Sequence, residues 1–262
     1  MIQPLKADLS DPIEVIGHRG YPAIAPENTL ASIEAALTAG ARAVEFDLQF
    51  ALCGTPILFH DDLLERTTNG VGPVDGMTLQ QLQVLDAGIW FSSEFAGERI
   101  PSFTEALELL NGRVDHIYPE IKRSRKTEDL RQIVRLVRDR KLLEQTTFIS
   151  IDWTALEHVR TADSTVGIGY IVVSSNQFPE ALARATSDPR AILDLSHEFV
   201  LRDPSVVQRA RANGLEVATW TVNDPEEAAI LQKAGVTRFT TDQIERLVAW
   251  AGSSGDHPHL VR

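Results

Sequence analysis

Short runs of apolar and β-branched residues alternate with amphipathic helical segments from Ile13 nearly to the end of the chain. This alternation predicts βα units around a parallel sheet. About nine such runs in 262 residues favour a closed (β/α)8 barrel of the TIM type over an open sheet. The predicted strands are 13–16, 43–50, 56–60, 115–121, 147–151, 166–173, 191–195, 215–220 and 238–241.

Glycine marks the ends of two predicted helices. The helix at 28–39 stops at Gly40, and the helix at 204–213 stops at Gly214. Glycine is favoured just after a helix because it adopts a left-handed conformation at little cost. A third helix, at 127–141, has an apolar stripe and a basic face that we expect to lie in solvent.

The region 61–100 interrupts the alternation and has no sustained period, so we expect an insertion after the third strand that shapes the entrance of the barrel. We expect Trp90, Phe91 and Phe95 to be buried beneath it, the alternative being an exposed apolar patch. The chain otherwise forms one domain, with a loose tail expected at 252–262.

Composition excludes two classes of partner. The chain has 25 Lys and Arg against 37 Asp and Glu, a net charge of −12, whereas nucleic acids and anionic membranes attract basic surfaces. No apolar run approaches the roughly 18 residues of a membrane span, and Cys53 has no partner for an intramolecular disulfide. We therefore expect a cytoplasmic protein without stable membrane insertion; its oligomeric state is left open.

Alternation places pairs of charged side chains on one side of two predicted strands. Glu45 and Asp47 point the same way, as do Glu120 and Lys122 at the end of the strand at 115–121, where barrel enzymes keep their catalytic groups. The alternative for the first pair is an exposed strand edge, and the alternative for the second pair is a surface ion pair. Convergence of the three carboxylates would make an oxygen-rich site for one hard divalent cation, Mg²⁺ or Ca²⁺.

The link between the second and third strands is too short for a parallel crossover, so these strands are predicted to form a hairpin. With the turn centred on positions 53–54, Asp47 lies opposite His60 and Glu45 opposite Asp62. This register brings a histidine to the carboxylates. A slip of one residue would turn His60 away.

The first strand ends with an imidazole and a guanidinium, His18 and Arg19, between two glycines that allow the backbone to approach a ligand. A lone histidine is usually structural, but a second histidine at a strand end, His60, favours an acid/base pair. Trp220, at the end of a late strand, suits either stacking against ligand carbons or closure of the barrel core.

These residues resemble the glycerophosphodiester phosphodiesterase family along nearly the whole chain. The resemblance implies a TIM barrel with a small insertion, a divalent metal held by Glu45, Asp47 and Glu120, and His18 and His60 as the acid/base pair. The hairpin turn and the two residues before Glu120 depart from the family pattern. The matching segments are His18-Arg19-Gly20, Pro26-Glu27-Asn28-Thr29, Glu45-Phe46-Asp47, His60-Asp61, Arg66-Thr67-Thr68, Ile100-Pro101-Ser102, Glu120-Ile121-Lys122, Trp220-Thr221-Val222-Asn223 and Thr241-Asp242.

The resulting hypothesis is hydrolysis of a small glycerophosphodiester to glycerol 3-phosphate and an alcohol. Arg19 and Lys122 would supply positive charge to the phosphoryl group. The nucleophile is water, or the neighbouring glycerol hydroxyl attacks first to give a cyclic phosphate. A lysophospholipase D-like enzyme, a metal-independent phospholipase C-like lyase and a non-catalytic phospho-ligand-binding barrel are the alternatives.

Overall fold

Nine strands form one sheet in the computed structural model, which describes residues 12–254. Those strands are β1 (Glu14–Gly17), β2 (Ala43–Phe50), β3 (Pro56–Leu58), β4 (His116–Ile121), β5 (Thr147–Ser150), β6 (Gly167–Val172), β7 (Ala191–Ser196), β8 (Val217–Trp220) and β9 (Arg238–Thr241). All except β3 run parallel, in the order β1-β9-β8-β7-β6-β5-β4-β2, and β2 pairs with β1 to close the barrel. The predicted TIM-type fold is confirmed.

Helices connect the barrel strands. They are α1 (Leu30–Thr38), α2 (Leu79–Leu82), α3 (Phe103–Leu110), α4 (Thr127–Asp139), α5 (Trp153–Ala162), α6 (Phe178–Thr186), α7 (His197–Arg202), α8 (Ser205–Ala212), α9 (Pro225–Ala234) and α10 (Ile244–Ser254). Gly40 and Gly214, just after α1 and α8, have φ of +92° and +76°, as expected of glycine there. The predicted tail begins inside α10, and its remainder lies outside the described residues. No helix between residues 12 and 254 has both the length and the apolar character needed to cross a bilayer.

Alternation along β2 separates an apolar face from an acidic one. Along β2, Val44, Phe46 and Leu48 are fully buried in the main core between the sheet and the helices. Glu45 and Asp47 point to the other side, into the barrel, and are also buried. The alternative of an exposed strand edge is therefore wrong.

The β2–β3 hairpin forms as predicted, but its register differs by one residue. Leu48 pairs with Leu58. The Ala51 backbone N–H donates to the Thr55 carbonyl at 3.0 Å, which leaves three loop residues instead of two. Gly54 supplies the left-handed residue that such a loop needs, with a φ of +87°.

The predicted opposition of Asp47 to His60, and of Glu45 to Asp62, is therefore wrong. The Asp47 carbonyl instead accepts a hydrogen bond from the Phe59 backbone N–H at 3.0 Å. His60 still reaches the barrel mouth, because β3 has already ended and strand alternation no longer fixes the side-chain direction.

The segment predicted as an insertion, residues 61–100, contains α2 and two short 3-10 helices. Trp90, Phe91 and Phe95 stack edge to face, with ring centroids 5.7 and 5.6 Å apart. Trp90 is 39% exposed and the two phenylalanines are only partly buried, so the expectation that all three are buried is wrong. The segment packs around an apolar cluster of its own, made of Ala51, Ile57, Phe59, Leu64, Val74, Leu82, Ala87 and Ile100.

Polar side chains fill the end of the barrel at which the parallel strands begin. The Arg238 guanidinium donates to Glu14 at 2.9 Å and also pairs with Glu216. Nearby, His116 Nε2 lies 2.8 Å from the Thr147 hydroxyl oxygen. Burial lowers the pKa of His116 to about 3, and the charges of two nearby arginines add to this effect.

Below about pH 6.5 the unfolded chain binds a proton that the folded His116 does not accept until the pH falls to about 3, so stability decreases as the pH falls through this range. Between about pH 7.5 and 5 the loss from this group is roughly 2 kcal/mol. The test measures the free energy of unfolding in urea at about pH 7.5 and about pH 5. Between these pH values we expect it to fall by roughly 2 kcal/mol less in His116→Gln than in the parent. His158→Gln is the control. Equal pH dependence in the parent and His116→Gln would contradict this assignment.

Candidate active site

Two buried carboxylates and one partly buried carboxylate meet near the C-terminal ends of the barrel strands. Asp47 of β2 lies beside Glu120 of β4 in the sheet register, and Glu45 precedes Asp47 on the same interior face. One oxygen from each carboxylate lies within 4.8 Å of the others. The structure thus brings together the three acidic residues that the sequence singled out.

The side chains of Arg19 and Lys122 and the backbone amide of Arg19 hold these carboxylates in place. Arg19 Nε lies 3.1 Å from Asp47 Oδ2, and the Arg19 backbone N–H donates to Glu45 Oε2 at 2.8 Å. Lys122 Nζ lies 2.9 Å from Glu120 Oε1 and 3.6 Å from Asp47 Oδ1. These contacts give Arg19 and Lys122 a structural role beside their predicted interaction with phosphate.

Asn28 is a site residue whose role the sequence did not reveal. Its side-chain amide donates to Asp47 Oδ2 at 2.8 Å, and its side-chain carbonyl accepts from the Asp47 backbone N–H at 3.0 Å. The Asn28 backbone has a φ of +57°, a left-handed conformation that asparagine tolerates better than most residues.

Burial raises the pKa of Glu45 well above its usual range, and the charges of Asp47 and Glu120 raise it further. Burial and the charge of Asp47 also raise the pKa of Glu120. Burial opposes ionisation of Asp47 too, but Arg19 and Lys122 outweigh it and lower the pKa of that carboxyl group. The cluster is therefore under electrostatic repulsion that its own cations only partly relieve.

The donor set fits a divalent cation. Glu45 Oε1 and Asp47 Oδ1 are buried and have no hydrogen-bond partner among residues 12–254. Such orphaned acceptors are costly unless a ligand satisfies them. All candidate ligand atoms are carboxylate oxygens, which Mg²⁺ and Ca²⁺ prefer.

His18 is oriented by a carboxylate from the last strand end. Its Nδ1 lies 2.7 Å from Asp242 Oδ1, and the other Asp242 oxygen accepts from the Asn223 amide at 2.9 Å. The Asn223 side-chain carbonyl in turn accepts from the Asp242 backbone N–H at 2.8 Å. With Nδ1 engaged in this way, Nε2 is the His18 nitrogen available to a ligand.

His60 has the same arrangement, built from residues of the segment 61–100. Its Nδ1 lies 2.5 Å from Asp61 Oδ1, and Arg66 Nε donates to Asp61 Oδ2 at 2.5 Å. Arg66 also binds Glu27 through both terminal nitrogens, and Glu27 accepts from Arg19 at 2.8 Å. A continuous chain of hydrogen bonds and ion pairs therefore runs from His60 to the carboxylate cluster.

Both histidines and two of the three clustered carboxylates line one cavity of about 320 Å³. Its far wall is mainly apolar and contains Ile149, Ile151 and Ile171. Trp220 is only partly buried and also packs against the apolar cluster inside the barrel, so the structure accommodates both predicted roles. Asp47 lies just behind the cavity surface, and the other predicted site residues line it, namely His18, Arg19, Glu45, His60, Glu120, Lys122 and Trp220.

The sequence argument missed the carboxylates that orient the two histidines. Asp61 directly follows His60, and Asp242 directly follows β9, so proximity to a strand end was the available signal. It also missed Asp194 of β7, a buried carboxyl group that lines the cavity. Burial raises the pKa of Asp194 well above its usual range, and the charge of Glu120 adds to the shift.

Comparison with known proteins places the chain among phosphodiesterases. The profile of the glycerophosphoryl diester phosphodiesterase family matches residues 18–246. A glycerophosphodiester phosphodiesterase of Caldanaerobacter subterraneus is 31% identical over 239 residues, 89% of this chain and 96% of the relative.

Two solved structures are similar over most of their length. A phosphodiesterase of Oleispira antarctica in complex with the product sn-glycerol-3-phosphate has a TM-score of 0.84 at 29% identity, and the match covers 91% of this chain and 96% of that one. A glycerophosphodiester phosphodiesterase of Agrobacterium tumefaciens has a TM-score of 0.77 at 27% identity, covering 90% and 99%.

Hydrogen bonds from Arg66, and then from His60, lower the pKa of Asp61 to about 2. We expect Arg66→Gln to raise this pKa toward the ordinary value near ~3.9, because the cation that stabilises the ionised form is lost. An NMR titration of the Asp61 carboxyl carbon measures the shift. Arg123→Gln, which removes the cation beside Asp62, is the matched control. An Asp61 pKa still near 2 in Arg66→Gln would contradict the assignment.

Proposed function

The chain belongs to the glycerophosphoryl diester phosphodiesterase family and is a phosphodiesterase, and from this premise we propose that its cavity hydrolyses a glycerophosphodiester to glycerol 3-phosphate and an alcohol. The observation that carries the proposal is two carboxylate-oriented histidines beside three converging carboxylates in one cavity. The glycerol 3-phosphate bound by the Oleispira antarctica relative supports this choice of product.

We assign Glu45, Asp47 and Glu120 to one divalent cation, Mg²⁺ or Ca²⁺. When bound, such an ion polarises a phosphoryl oxygen as a Lewis acid. Lys122 lies beside the same carboxylates, and its ammonium group is placed to contact a nonbridging oxygen of the substrate. Arg19 adds positive charge to the same wall, while its pairs with Glu27 and Asp47 fix its position.

The two histidines divide the proton transfers between them. Displacement at phosphorus needs a base that takes a proton from the attacking hydroxyl and an acid that gives one to the leaving alcohol. Asp242 and Asp61 hold the Nδ1 atoms of His18 and His60, so each Nε2 faces the reaction and each imidazolium has a carboxylate beside it. Water is the nucleophile, or the neighbouring glycerol hydroxyl attacks first and water opens the cyclic phosphate.

A lysophospholipase D-like activity is the second candidate, because two apolar side chains lie at the cavity mouth. Ile151 and Val173 line the cavity and are 54% and 49% exposed. Such a rim suits an acyl chain, and it equally suits the methyl groups of a choline. A comparison of glycerophosphocholine with 1-acyl lysophosphatidylcholine as substrates distinguishes the two activities.

We expect His18→Ala and His60→Ala each to lower kcat/KM for glycerophosphocholine by about 10²–10⁴-fold, the usual contribution of a general acid or base. Release of glycerol 3-phosphate from glycerophosphocholine, glycerophosphoethanolamine and glycerophosphoglycerol measures the effect. His158→Ala on α5 is the matched control, and circular dichroism checks folding. A near-parental rate in either site variant would remove that histidine from the acid/base pair.

We expect EDTA to abolish turnover and added Mg²⁺ or Ca²⁺ to restore it, because the carboxylate cluster needs a cation to bind an anionic substrate. Glu120→Gln removes one charge from the cluster and should weaken cation binding in isothermal titration calorimetry, whereas Glu108→Gln on the surface of α3 should not. Sustained turnover in EDTA with a cyclic phosphate as the final product would instead identify a metal-independent lyase.

A further inference from the structure

One buried carboxyl group in the cavity has no part in the mechanism above. Asp194 lines the cavity and is 3% exposed. Its Oδ1 has no hydrogen-bond partner, and within residues 12–254 no Lys, Arg or His forms an ion pair with it. A buried polar group without a partner costs free energy that a bound ligand can recover.

The position of Asp194 separates it from the proposed cation site. In the closed ring of eight parallel strands, β7 is four strands away from β2 in either direction. Asp194 therefore faces Glu45 and Asp47 from the opposite wall. The carboxylates that converge within coordination reach are Glu45, Asp47 and Glu120, without Asp194.

A hydrogen-bond donor without a partner lies on the neighbouring strand. Trp220 lines the same cavity, and its buried Nε1 has no partner among the described residues. Trp220 pairs with Ser196 in the β7–β8 register, so Asp194, two positions before Ser196, is its diagonal neighbour on the interior face. The wall thus offers one acceptor and one N–H donor. A hydroxyl group can satisfy both at once, because it donates and accepts.

Apolar side chains flank Asp194. Ile171 is the register partner of Asp194 on β6, and Ala218 is its partner on β8. Neither neighbour offers a charge or a hydrogen bond from its side chain. Beside Asp194, therefore, its own carboxyl group is the polar group of the wall, while Thr221 after β8 and Thr240 of β9 also line the cavity.

We propose that Asp194 and Trp220 bind the terminal, unesterified hydroxyl of the glycerol moiety, so that the enzyme selects deacylated glycerophosphodiesters over diesters in which that hydroxyl is acylated or missing. The inference rests on the proposed function, because it places the phosphoryl group between the histidines and the carboxylates of β2 and β4. The free end of the glycerol then extends toward β7. Asp194 is a specificity-determining residue and transfers no proton in the reaction.

The test compares three substrates. Glycerophosphocholine has the terminal hydroxyl, 2-hydroxypropyl phosphocholine lacks only that group, and 1-acyl lysophosphatidylcholine has it esterified. We expect the parent to prefer glycerophosphocholine by roughly 10²-fold in kcat/KM, because the analogue without the hydroxyl forfeits two hydrogen bonds, each contributing about tenfold. In Asp194→Leu the preference over 2-hydroxypropyl phosphocholine should fall to within about 3-fold, through loss of activity on the glycerol ester.

Two further variants sharpen the comparison. Trp220→Phe keeps an aromatic ring and removes the N–H, so the preference should fall to roughly 10-fold, as expected for one lost hydrogen bond. Asp139→Asn, at the exposed end of α4, is the matched carboxylate control and should keep the parental ratio. The ratio is the informative readout because a merely structural defect would lower both rates together.

The outcomes separate this inference from the proposed function. Two results would overturn the hydroxyl site but leave the phosphodiesterase assignment intact, provided that glycerophosphocholine is hydrolysed. In the first, folded Asp194→Leu keeps the parental ratio of kcat/KM for glycerophosphocholine over 2-hydroxypropyl phosphocholine. In the second, the parent hydrolyses lysophosphatidylcholine as fast as glycerophosphocholine. No parental turnover on any of the three substrates would overturn both. If Asp194→Leu fails to fold, two other measurements decide the question. One is the substrate ratio of Trp220→Phe. The other compares how strongly glycerol 3-phosphate and its 1-deoxy analogue inhibit the parent competitively.

Discussion

Repulsion among three carboxylates, two buried and one partly buried, is the constraint around which the mouth of this barrel is built. Two charges 4 Å apart near a protein surface repel by roughly 4 kcal/mol, whereas an exposed ion pair returns only about 0–1 kcal/mol. Ordinary surface pairs therefore cannot hold Glu45, Asp47 and Glu120 within 4.8 Å of one another. Buried contacts from Arg19, Lys122 and Asn28 do so, and two carboxylate oxygens still lack hydrogen-bond partners within residues 12–254.

The ion pairs also explain why the segment 61–100 matters to a site built mainly on barrel strands. Arg66 belongs to that segment and binds Glu27 and Asp61 together. Glu27 contacts Arg19 at the carboxylate cluster, and Asp61 contacts the ring of His60. One guanidinium therefore couples the orientation of a proposed proton-transfer group to the geometry of the proposed cation site. Its fixed, planar set of donors makes this double bidentate contact possible, which a lysine would not reproduce.

The sequence predicted what depends on local periodicity and missed what depends on loop geometry and barrel closure. Alternation along β2 correctly placed Glu45 and Asp47 inside, because strand side chains follow a period of two. The hairpin register was wrong because two-residue and three-residue loops both fit the same spacing, and each sets a different pairing. The contact of His18 with Asp242, 224 positions apart, exists only because β9 closes against β1, and no local pattern indicates it.

Charge at the site explains how an acidic protein can take an anionic substrate. The net charge of −12 acts weakly beyond about 8 Å in physiological salt, so the groups at the cavity decide binding. There, Arg19, Arg66 and Lys122 face a larger number of acidic groups, and both arginines already pair with carboxylates. A phosphodiester therefore depends on positive charge beyond what these side chains leave free, and the orphaned carboxylate oxygens are where a cation would supply it. The acidic groups of this site are Glu27, Glu45, Asp47, Asp61, Glu120, Asp194 and Asp242.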